Sequence, residues 1–293
     1  MKIAIYGQYF KLEDKPYIEE IFAILQERKI EFSVEQNYFN ELKKWISVNT
    51  TNTFSSYQDL DNSYDFMFTV GGDGTILRAV TFIRDKNISI VGINTGRLGF
   101  LATVQKEEIS NAVELIMEKK YIINKRSLLS VSTTPTIQSL STFNFALNEV
   151  SVSRKNTASM ITIKTFLDEE YLTSYWADGL IIATPTGSTG YSLSCGGPII
   201  TPAAKSFTLT PIAPHNLSAR PIVIPDDTKI KFTVSGREDE FFLSLDSRIT
   251  TINSSTEICV EKASFNLKMV ELKQQTFLKT LREKLLWGQD NRN

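Results

Sequence analysis

The segment Gly71-Gly72-Asp73-Gly74-Thr75 has the composition of a loop that receives a phosphate group. Glycines let the backbone approach a ligand closely, and a helix that begins after such a loop directs unpaired N–H groups at it. The segment is not a Walker A loop, because the lysine of that motif is missing. A tight strand-to-helix turn capped by Asp73 or Thr75 is the alternative. A carboxylate beside phosphates would have to bind a metal or accept a proton, so Asp73 is the residue of greatest chemical interest.

A second candidate site runs from Asp178 to Pro198, where a short apolar stretch leads into hydroxyl residues and glycines around Tyr191. Hydroxyl groups hydrogen-bond to sugars and base edges, and a tyrosine ring offers a surface on which a base can stack. A surface turn rich in serine and threonine is the alternative.

Two shorter segments could complete such a site. Asn148-Glu149 places an amide beside a carboxylate, a pair that can bind ribose hydroxyls. A solvated turn explains this dipeptide equally well. Asn94 to Leu101 is a glycine-bearing loop after a buried strand, and α/β proteins bind ligands at such strand ends. The single histidine, His215, fits a hydrogen-bonding or surface role better than catalysis.

The elements that must position these residues alternate along the first hundred residues. Apolar runs predict strands at 2–6, 31–35, 65–70 and 88–93, and helical spacing predicts helices at 16–28, 38–46, 75–84 and 107–119. Residues 50–63 are predicted to be a loop. Such alternation is typical of an α/β domain, whose strands are buried on both faces.

After residue 121 the pattern changes to many short strands separated by turn residues, which predicts a β-sandwich or a related sheet domain. Near the end, Thr276 is a candidate N-cap for a last helix. The predicted fold is therefore an α/β N-terminal domain (1–120) and an all-β, sandwich-like domain (121–274). A C-terminal helical segment (275–293) follows, and it could pack back on the first domain.

Composition excludes several classes of function. The 293 residues carry 32 basic and 33 acidic side chains, for a formal net charge of −1, so general electrostatic binding to nucleic acid or to a membrane surface is not expected. Neither a signal peptide nor a membrane-spanning run is evident. Two distant cysteines predict free thiols in a reducing compartment, and we expect a cytoplasmic protein.

Taken together, these segments resemble the NAD kinase family, in particular the bacterial ATP-NAD kinases. The resemblance rests on GGDGT, NTGRLGFL, Asn148-Glu149, the long segment from Asp178 to Ile199, and HNLSARPIVI at His215 to Ile224, all in the order of the family. GGDGT also occurs in diacylglycerol and sphingosine kinases, whereas the long segment is much more specific to NAD kinases.

The resemblance implies a role for each matching position. Asp73 looks like the base that takes the proton from the adenosine 2′-hydroxyl of NAD, and the phosphate loop comprises Gly71, Gly72, Gly74 and Thr75. The NAD-binding positions it implies are Asp73, Gly74, Arg78, Asn148, Glu149, Asp178, Thr189, Gly190, Tyr191, Ser192, Leu193, Ser194, Ala213 and Arg248.

Four positions depart from the family pattern. Gly190 stands where alanine is common, Trp176 where some members have a basic residue, and Ser159 where others have arginine. Arg248 stands where several members have glutamine. The last three departures leave open the finer contacts with the dinucleotide and the choice between NAD and NADH.

The implied activity is transfer of the ATP γ-phosphoryl group to the 2′-hydroxyl of NAD, giving NADP. A divalent ion, Mg²⁺ or Mn²⁺, would arrive on the phosphates, because the sequence shows no cluster of metal ligands. There are two alternatives: another GGDGT kinase that acts on a lipid or sugar phosphate, or a non-catalytic dinucleotide sensor. Polyphosphate as donor stays open. Family members are usually dimers or tetramers, which implies a homo-oligomer.

Overall fold

The computed structural model describes residues 1–48, 50, 52–156, 159–216, 218–272 and 276–287. The chain forms two compact units. The first unit comprises residues 1–125 and 267–293, and the second comprises residues 126–266.

The elements follow one another in a simple order: helices are frequent before residue 120 and strands dominate after it. The strands are β1 (Lys2–Gly7), β2 (Glu31–Glu35), β3 (Thr53–Phe54), β4 (Phe66–Val70), β5 (Ser89–Asn94), β6 (Val104–Gln105), β7 (Tyr121–Thr134), β8 (Phe145–Ala146), β9 (Glu149–Arg154), β10 (Ile161–Leu167), β11 (Glu170–Ala177), β12 (Gly179–Ala183), β13 (Ser206–Ile212), β14 (Ile222–Pro225), β15 (Ile230–Ser235), β16 (Glu240–Leu245), β17 (Arg248–Asn253) and β18 (Glu257–Leu272). The helices are α1 (Lys15–Glu27), α2 (Gln36–Leu42), α3 (Asp73–Ile83), α4 (Ile109–Met117), α5 (Tyr191–Ser194) and α6 (Phe277–Leu285).

The first unit is built on a parallel sheet in the order β5-β4-β1-β2-β3. β6 and the residues Lys268–Met269 of β18 also pair with β5 in parallel. The register places Phe66 opposite Ser89 and Val70 opposite Ile93. The carboxyl ends of β4 and β5 therefore lie side by side, and the loops that follow them share one edge of the sheet.

Helices cover both faces of this sheet. The inward-facing residues of β1, β4 and β5, such as Ile5, Phe68 and Val91, share one hydrophobic core with α1, α2 and α4. α3 lies on the opposite face, because Ile76 from α3 contacts the position of Gly92, which points the other way from Val91. This layering confirms the predicted α/β fold of the N-terminal part.

The second unit contains two antiparallel sheets, in agreement with the β-rich prediction. One sheet has six strands in the order β14-β13-β12-β9-β16-β17. The other contains β11-β10-β15 and the amino-terminal part of β18, with β7 and β8 beside them. Buried residues of both sheets, among them Val152, Leu180, Phe207, Phe232 and Leu243, form one core.

Most predicted elements are present, with ends that generally agree within two residues. α2 begins two residues earlier than predicted, because the Glu35 carboxylate accepts the Tyr38 N–H and caps the helix there. α2 also ends at Leu42 instead of 46. The predicted loop at 50–63 contains β3 and a 3-10 turn at Tyr57–Asp59, because β3 gains backbone partners from the neighbouring β2. Thr276 caps α6 as predicted, with its hydroxyl accepting the Lys279 N–H at 3.3 Å.

No helix in the described part of the chain combines the length and apolar character needed to cross a membrane.

Candidate functional site

The glycine loop turns sharply out of β4 into α3. Gly71 has a φ of +145°, and a β-carbon there would lie 2.3 Å from Thr75 Oγ1. The Gly71 N–H donates to the Ile93 carbonyl at 2.9 Å, and the Thr75 N–H donates to the Gly72 carbonyl at 3.0 Å. Glycine is therefore required at position 71 by both its backbone conformation and the space available.

Gly72 and Gly74 are exposed, and a β-carbon at either position would contact no atom within 4 Å. Packing within the protein therefore does not explain these two glycines. Both lie at the beginning of α3, where the first N–H groups of a helix have no intrahelical partner. The loop offers an open, partly positive backbone surface of the kind that binds phosphate.

The Asp73 carboxylate is held by backbone amides from a different loop. Oδ2 accepts the Phe100 N–H at 2.8 Å, and Oδ1 accepts the N–H groups of Leu101 and Ala102, both at 3.0 Å. Asp73 is partly exposed at the start of α3. Its side chain is thus fixed in one orientation at the carboxyl edge of the sheet.

Asn94 shapes the loop that supplies these amides. Its buried side chain donates to the Arg97 carbonyl at 2.7 Å and accepts the Gly96 N–H at 2.8 Å. The loop then returns toward α3 at Gly99 to Ala102. The segment identified in the sequence as NTGRLGFL therefore positions Asp73. Arg78 lies exposed on α3, one turn after the glycine loop.

In the second unit, Asn148 and Glu149 stand where the chain enters β9. The Asp246 carboxylate accepts three backbone N–H groups there: that of Leu147 at 2.9 Å, of Asn148 at 2.8 Å and of Glu149 at 3.1 Å. Asp246 lies in the tight turn between β16 and β17 with a φ of +52°, and its side chain is only 3% exposed. This carboxylate anchors the Asn148–Glu149 backbone.

The side chains of the same two residues retain unused acceptors. Asn148 Oδ1 and Glu149 Oε2 are buried, and neither has a hydrogen-bond partner among the described residues. Unpaired buried acceptors are costly, which makes them candidates for a ligand's hydroxyl groups. Burial, and secondarily the nearby Asp246, raises the pKa of Glu149 to about 7. Burial likewise raises the pKa of Asp246, against the opposing effect of the three amides and Arg248.

Two glycines of the hydroxyl-rich segment lie against this pair. A β-carbon at Gly187 would lie 2.1 Å from the Asn148 carbonyl oxygen, and one at Gly190 would lie 3.2 Å from Glu149 Oε2. The Thr184 hydroxyl also donates to the Leu147 carbonyl at 2.6 Å. The structure thus brings Asn148, Glu149 and Gly190 together, although they are about forty residues apart.

Asp178 and Ala213 are neighbours in the six-stranded sheet, where β12 begins and β13 ends. The Asp178 N–H donates to the Ile212 carbonyl at 2.9 Å, so Ala213 follows directly beside it. Asp178 Oδ2 accepts from the Arg154 guanidinium at 2.9 Å. Ala213 has a φ of +43°, a conformation that an alanine adopts at a cost and that is common at ligand-binding sites.

Tyr191 exposes 45% of its surface at the start of α5, so one part of its ring is free to contact a ligand. Partial burial raises the pKa of its hydroxyl, and the Asp178 and Glu149 carboxylates act in the same direction. The rest of the predicted segment divides in two. Leu193 and Ser194 reach the surface at least in part, whereas Ser192 is buried and its hydroxyl hydrogen-bonds to that of Thr210 at 2.8 Å.

Arg248 makes its contacts within the protein. Its guanidinium donates to the carbonyls of Phe143 and Phe145, lies 3.9 Å from Asp246 Oδ2, and packs over the Phe145 ring. Burial lowers its pKa. The structure thus gives Arg248 a clear role in supporting the Asp246 turn, and its contact with NAD stays a prediction. The Thr189 hydroxyl donates a long hydrogen bond to the Thr186 carbonyl, at 3.4 Å.

Sequence reasoning assigned no positioning role to three residues that shape the site: Asp246, Arg154, and Gly99 of the segment Asn94 to Leu101. A signal existed for Asp246, since Asp and Ser favour turns and this pair lies between two alternating strands. Arg154 contacts Asp178, 24 positions away, and Gly99 contacts Asp73, 26 positions away. No local sequence pattern predicts these two contacts.

In the described part of the chain, no three His, Cys, Asp or Glu side chains lie close enough to hold a metal ion.

The first unit has an open glycine loop at the carboxyl edge of a parallel sheet, with a fixed carboxylate beside it. The second unit has hydrogen-bond acceptors suited to ribose hydroxyl groups. These are features of a nucleotide-dependent phosphotransferase. Residues 5–121 match the ATP-NAD kinase N-terminal domain and residues 147–272 match the ATP-NAD kinase C-terminal domain. The chain belongs to the NAD kinase family, and it is a kinase that phosphorylates NAD.

Individual relatives agree with this assignment. The chain is 54% identical to an NAD kinase of Flavobacterium psychrophilum and 38% identical to one of Bacteroides fragilis, with 100% of both chains covered in each comparison. Among solved structures, an Archaeoglobus fulgidus NAD kinase in complex with ATP is similar with a TM-score of 0.76 and 25% identity, over 98% of this chain and 99% of that one. Yeast NADH kinase complexed with NADH has the same fold, with a TM-score of 0.88 at 24% identity, over 100% and 89% of the two chains.

Proposed function

We propose that this kinase transfers the γ-phosphoryl group of ATP to the adenosine 2′-hydroxyl of NAD, with Asp73 as the general base. The observation that carries the proposal is the fixed Asp73 carboxylate beside an open glycine loop. In the reaction the 2′-hydroxyl loses its proton to Asp73, its oxygen forms a bond to the γ-phosphorus, and the bond from that phosphorus to the bridging oxygen breaks to release ADP.

The hydrogen bonds of Asp73 leave room for this proton. An ionised carboxylate has about four acceptor positions. Three are occupied by the amides of Phe100, Leu101 and Ala102, two of them on Oδ1. The remaining position is therefore on Oδ2, and because the amides fix the carboxylate, that lone pair has a defined direction. A positioned base of this kind contributes roughly a hundred- to ten-thousandfold to a rate.

The residues of the second unit would bind NAD. Asn148 Oδ1 and Glu149 Oε2, both without partners among the described residues, are suited to accept ribose hydroxyl groups. The exposed Tyr191 ring is suited to stack on the adenine. The remaining contacts that we assign to NAD are Gly74, Arg78, Asp178, Thr189, Gly190, Ser192, Leu193, Ser194, Ala213 and Arg248.

The phosphates of ATP would lie on the glycine loop, formed by Gly71, Gly72, Gly74 and Thr75. The open space around Gly72 and Gly74 supports this assignment. A divalent cation, Mg²⁺ or Mn²⁺, would be carried by the phosphate oxygens. When bound, the cation neutralises phosphate charge. The protein contributes mainly orientation, which is what phosphoryl transfer requires.

We also propose that the protein works in the cytoplasm as a homo-oligomer, either a dimer or a tetramer. Two cysteines that form no disulfide, Cys195 and Cys259, support a reducing compartment. The oligomer is supported by the resemblance to other family members.

The experiment is to incubate the protein with NAD, ATP and Mg²⁺ and to measure NADP, for the parent protein and for Asp73→Asn. We expect Asp73→Asn to lower kcat by about a hundred- to ten-thousandfold while the Kd for NAD changes little. Asp85→Asn is the matched control, because Asp85 is exposed just beyond the same helix. A kcat of Asp73→Asn close to that of the parent protein would show that another group accepts the proton.

A further inference from the structure

A recess of about 480 Å³ opens at the amino edge of the parallel sheet, within the first unit. It is lined by the first residues of β4 and β5, by the end of α4 and the strand that follows it, and by Lys268 of β18. We infer that this recess is a second binding site, for a small anion that carries an aromatic ring.

The recess lies at the opposite end of the sheet from the glycine loop. Its lining includes Phe66 and Ser89, which begin β4 and β5, whereas Gly71 and Asn94 stand where the same strands end. Five residues of a strand span about 17 Å. A ligand in the recess would therefore be separate from a nucleotide on the glycine loop.

The floor of the recess is apolar and aromatic. Phe66 and Ile116 are buried there with 6% and 3% of their surface exposed. The Tyr121 ring meets the Phe66 ring edge-on at a centroid distance of 5.7 Å, and Ile123 lies beside it. Such a floor favours a planar ring over a fully polar solute.

The rim is positively charged. Lys119 is exposed at the end of α4 and has no ion-pair partner among the residues that the structure describes. Lys268 donates to the neutral Asn87 side chain, so its charge also stays uncompensated there. The one acid of the lining, Asp65, accepts the backbone N–H of Lys2 at 2.8 Å and forms an ion pair with the amino terminus of Met1 at 4.0 Å. The charges of Lys119 and Lys268 therefore remain in excess, because Asp65 is already paired with the amino terminus and with a backbone N–H.

The size of the recess also suits a small molecule. Sites for small molecules usually measure about 300–1,000 Å³, with apolar walls and a few polar groups that fix orientation. A carboxylate, sulfonate or phosphate group would lie between Lys119 and Lys268, and its ring would lie on Phe66 and Tyr121.

The test uses naphthalene-1-sulfonate and the neutral naphthalene-1-sulfonamide as probes, measured by titration calorimetry with NAD and ADP present at saturation. We expect the sulfonate to bind more tightly than the sulfonamide. The double variant Lys119→Gln/Lys268→Gln should weaken sulfonate binding by about fivefold or more and leave sulfonamide binding unchanged. NAD phosphorylation should remain unchanged, because neither lysine belongs to the proposed catalytic site.

Lys29→Gln is the matched control. Lys29 lies two residues after α1 with a φ of +53°, as Lys119 lies two residues after α4 with a φ of +57°. The N–H of each donates at 3.0 Å to the carbonyl three residues earlier. The control should bind the sulfonate like the parent protein. Equal affinity for the two probes, an unaffected double variant, or loss of sulfonate binding when NAD and ADP are present would each overturn the inference.

Discussion

Gly99 packs against Asp73 so closely that a β-carbon on Gly99 would lie 1.9 Å from Asp73 Oδ1. The absence of a side chain at position 99 is what lets the following three amides reach the carboxylate. The orientation of the proposed base therefore depends on a glycine from the next loop of the sheet.

Gly99→Ala should displace the Asp73 carboxylate and lower kcat by at least about tenfold. Displacing a catalytic group by about 1 Å can lower a rate by about a hundredfold. Steady-state kinetics of NADP formation measure this effect. Gly96→Ala is the control in the same loop, because a β-carbon there would only come within 3.9 Å of Asn94 Oδ1. Equal rates for the two variants would contradict the role of Gly99.

Asp246→Asn should weaken NAD binding without a comparable effect on ATP binding. The amide group can still accept two of the three backbone N–H groups, but its NH₂ faces the third, which then lacks an acceptor. A buried donor without a partner costs about 1–3 kcal/mol of stability. Separate titrations with NAD and ATP, and thermal unfolding, provide the measurements.

The same variant also has an electrostatic signature. Because the Asp246 charge contributes to the raised pKa of Glu149, Asp246→Asn should lower that pKa. The pH midpoint of NAD binding should then move to lower pH, a change that loss of stability alone does not produce. Asp239→Asn, an exposed aspartate before β16, should change neither quantity.

Glu149 should make the protein less stable as the pH rises from about 4.5 to about 7, because the folded state holds its proton up to a pKa of about 7. The unfolded chain releases that proton near the ordinary glutamate pKa of 4.5. Unfolding therefore becomes progressively more favourable between pH 4.5 and about 7, and the loss of stability is constant above pH 7. The change corresponds to on the order of 3 kcal/mol. Glu149→Gln should remove this slope in denaturant titrations between pH 4.5 and 8.

Ionisation of Glu149 should also affect NAD binding. The ionised carboxylate has an unpaired acceptor that ribose hydroxyls can satisfy, so affinity for NAD should rise as the pH passes about 7. In Glu149→Gln the affinity should be lower and independent of pH in this range. A parent protein whose NAD affinity does not vary between pH 6 and 8 would refute the assignment.

Tyr191→Ala should raise the Kd for NAD by about ten- to hundredfold, since stacking of a base on an aromatic ring contributes roughly 1–3 kcal/mol. Tyr191→Phe should have a mild effect, because the ring face remains. The loss should persist for AMP, which contains adenine without nicotinamide. If Tyr191→Ala binds AMP as tightly as the parent protein does, the ring is a packing residue.

Several local features could be read from the sequence because their physical causes are local. The apolar runs of β4 and β5 predict strands buried on both faces, and Thr276 predicts the start of α6. Gly71 is recognisable from its turn between a strand and a helix. β3 was missed for the complementary reason: its Thr- and Ser-rich segment becomes a strand only through hydrogen bonds to β2.

The sequence by itself determined the family and the change from an α/β part to a β-rich part. It also identified the residues capable of catalysis or binding, since residue types and short spacings carry that information. Only the tertiary structure decided how those residues are held. Asp73 is oriented by amides 27 to 29 positions away, and the Asn148–Glu149 backbone is anchored by Asp246, 97 to 99 positions away from the three residues it binds. Hydrogen bonds and burial depend on distance in space, so the raised pKa of Glu149 and the internal role of Arg248 arise only once the chain has folded.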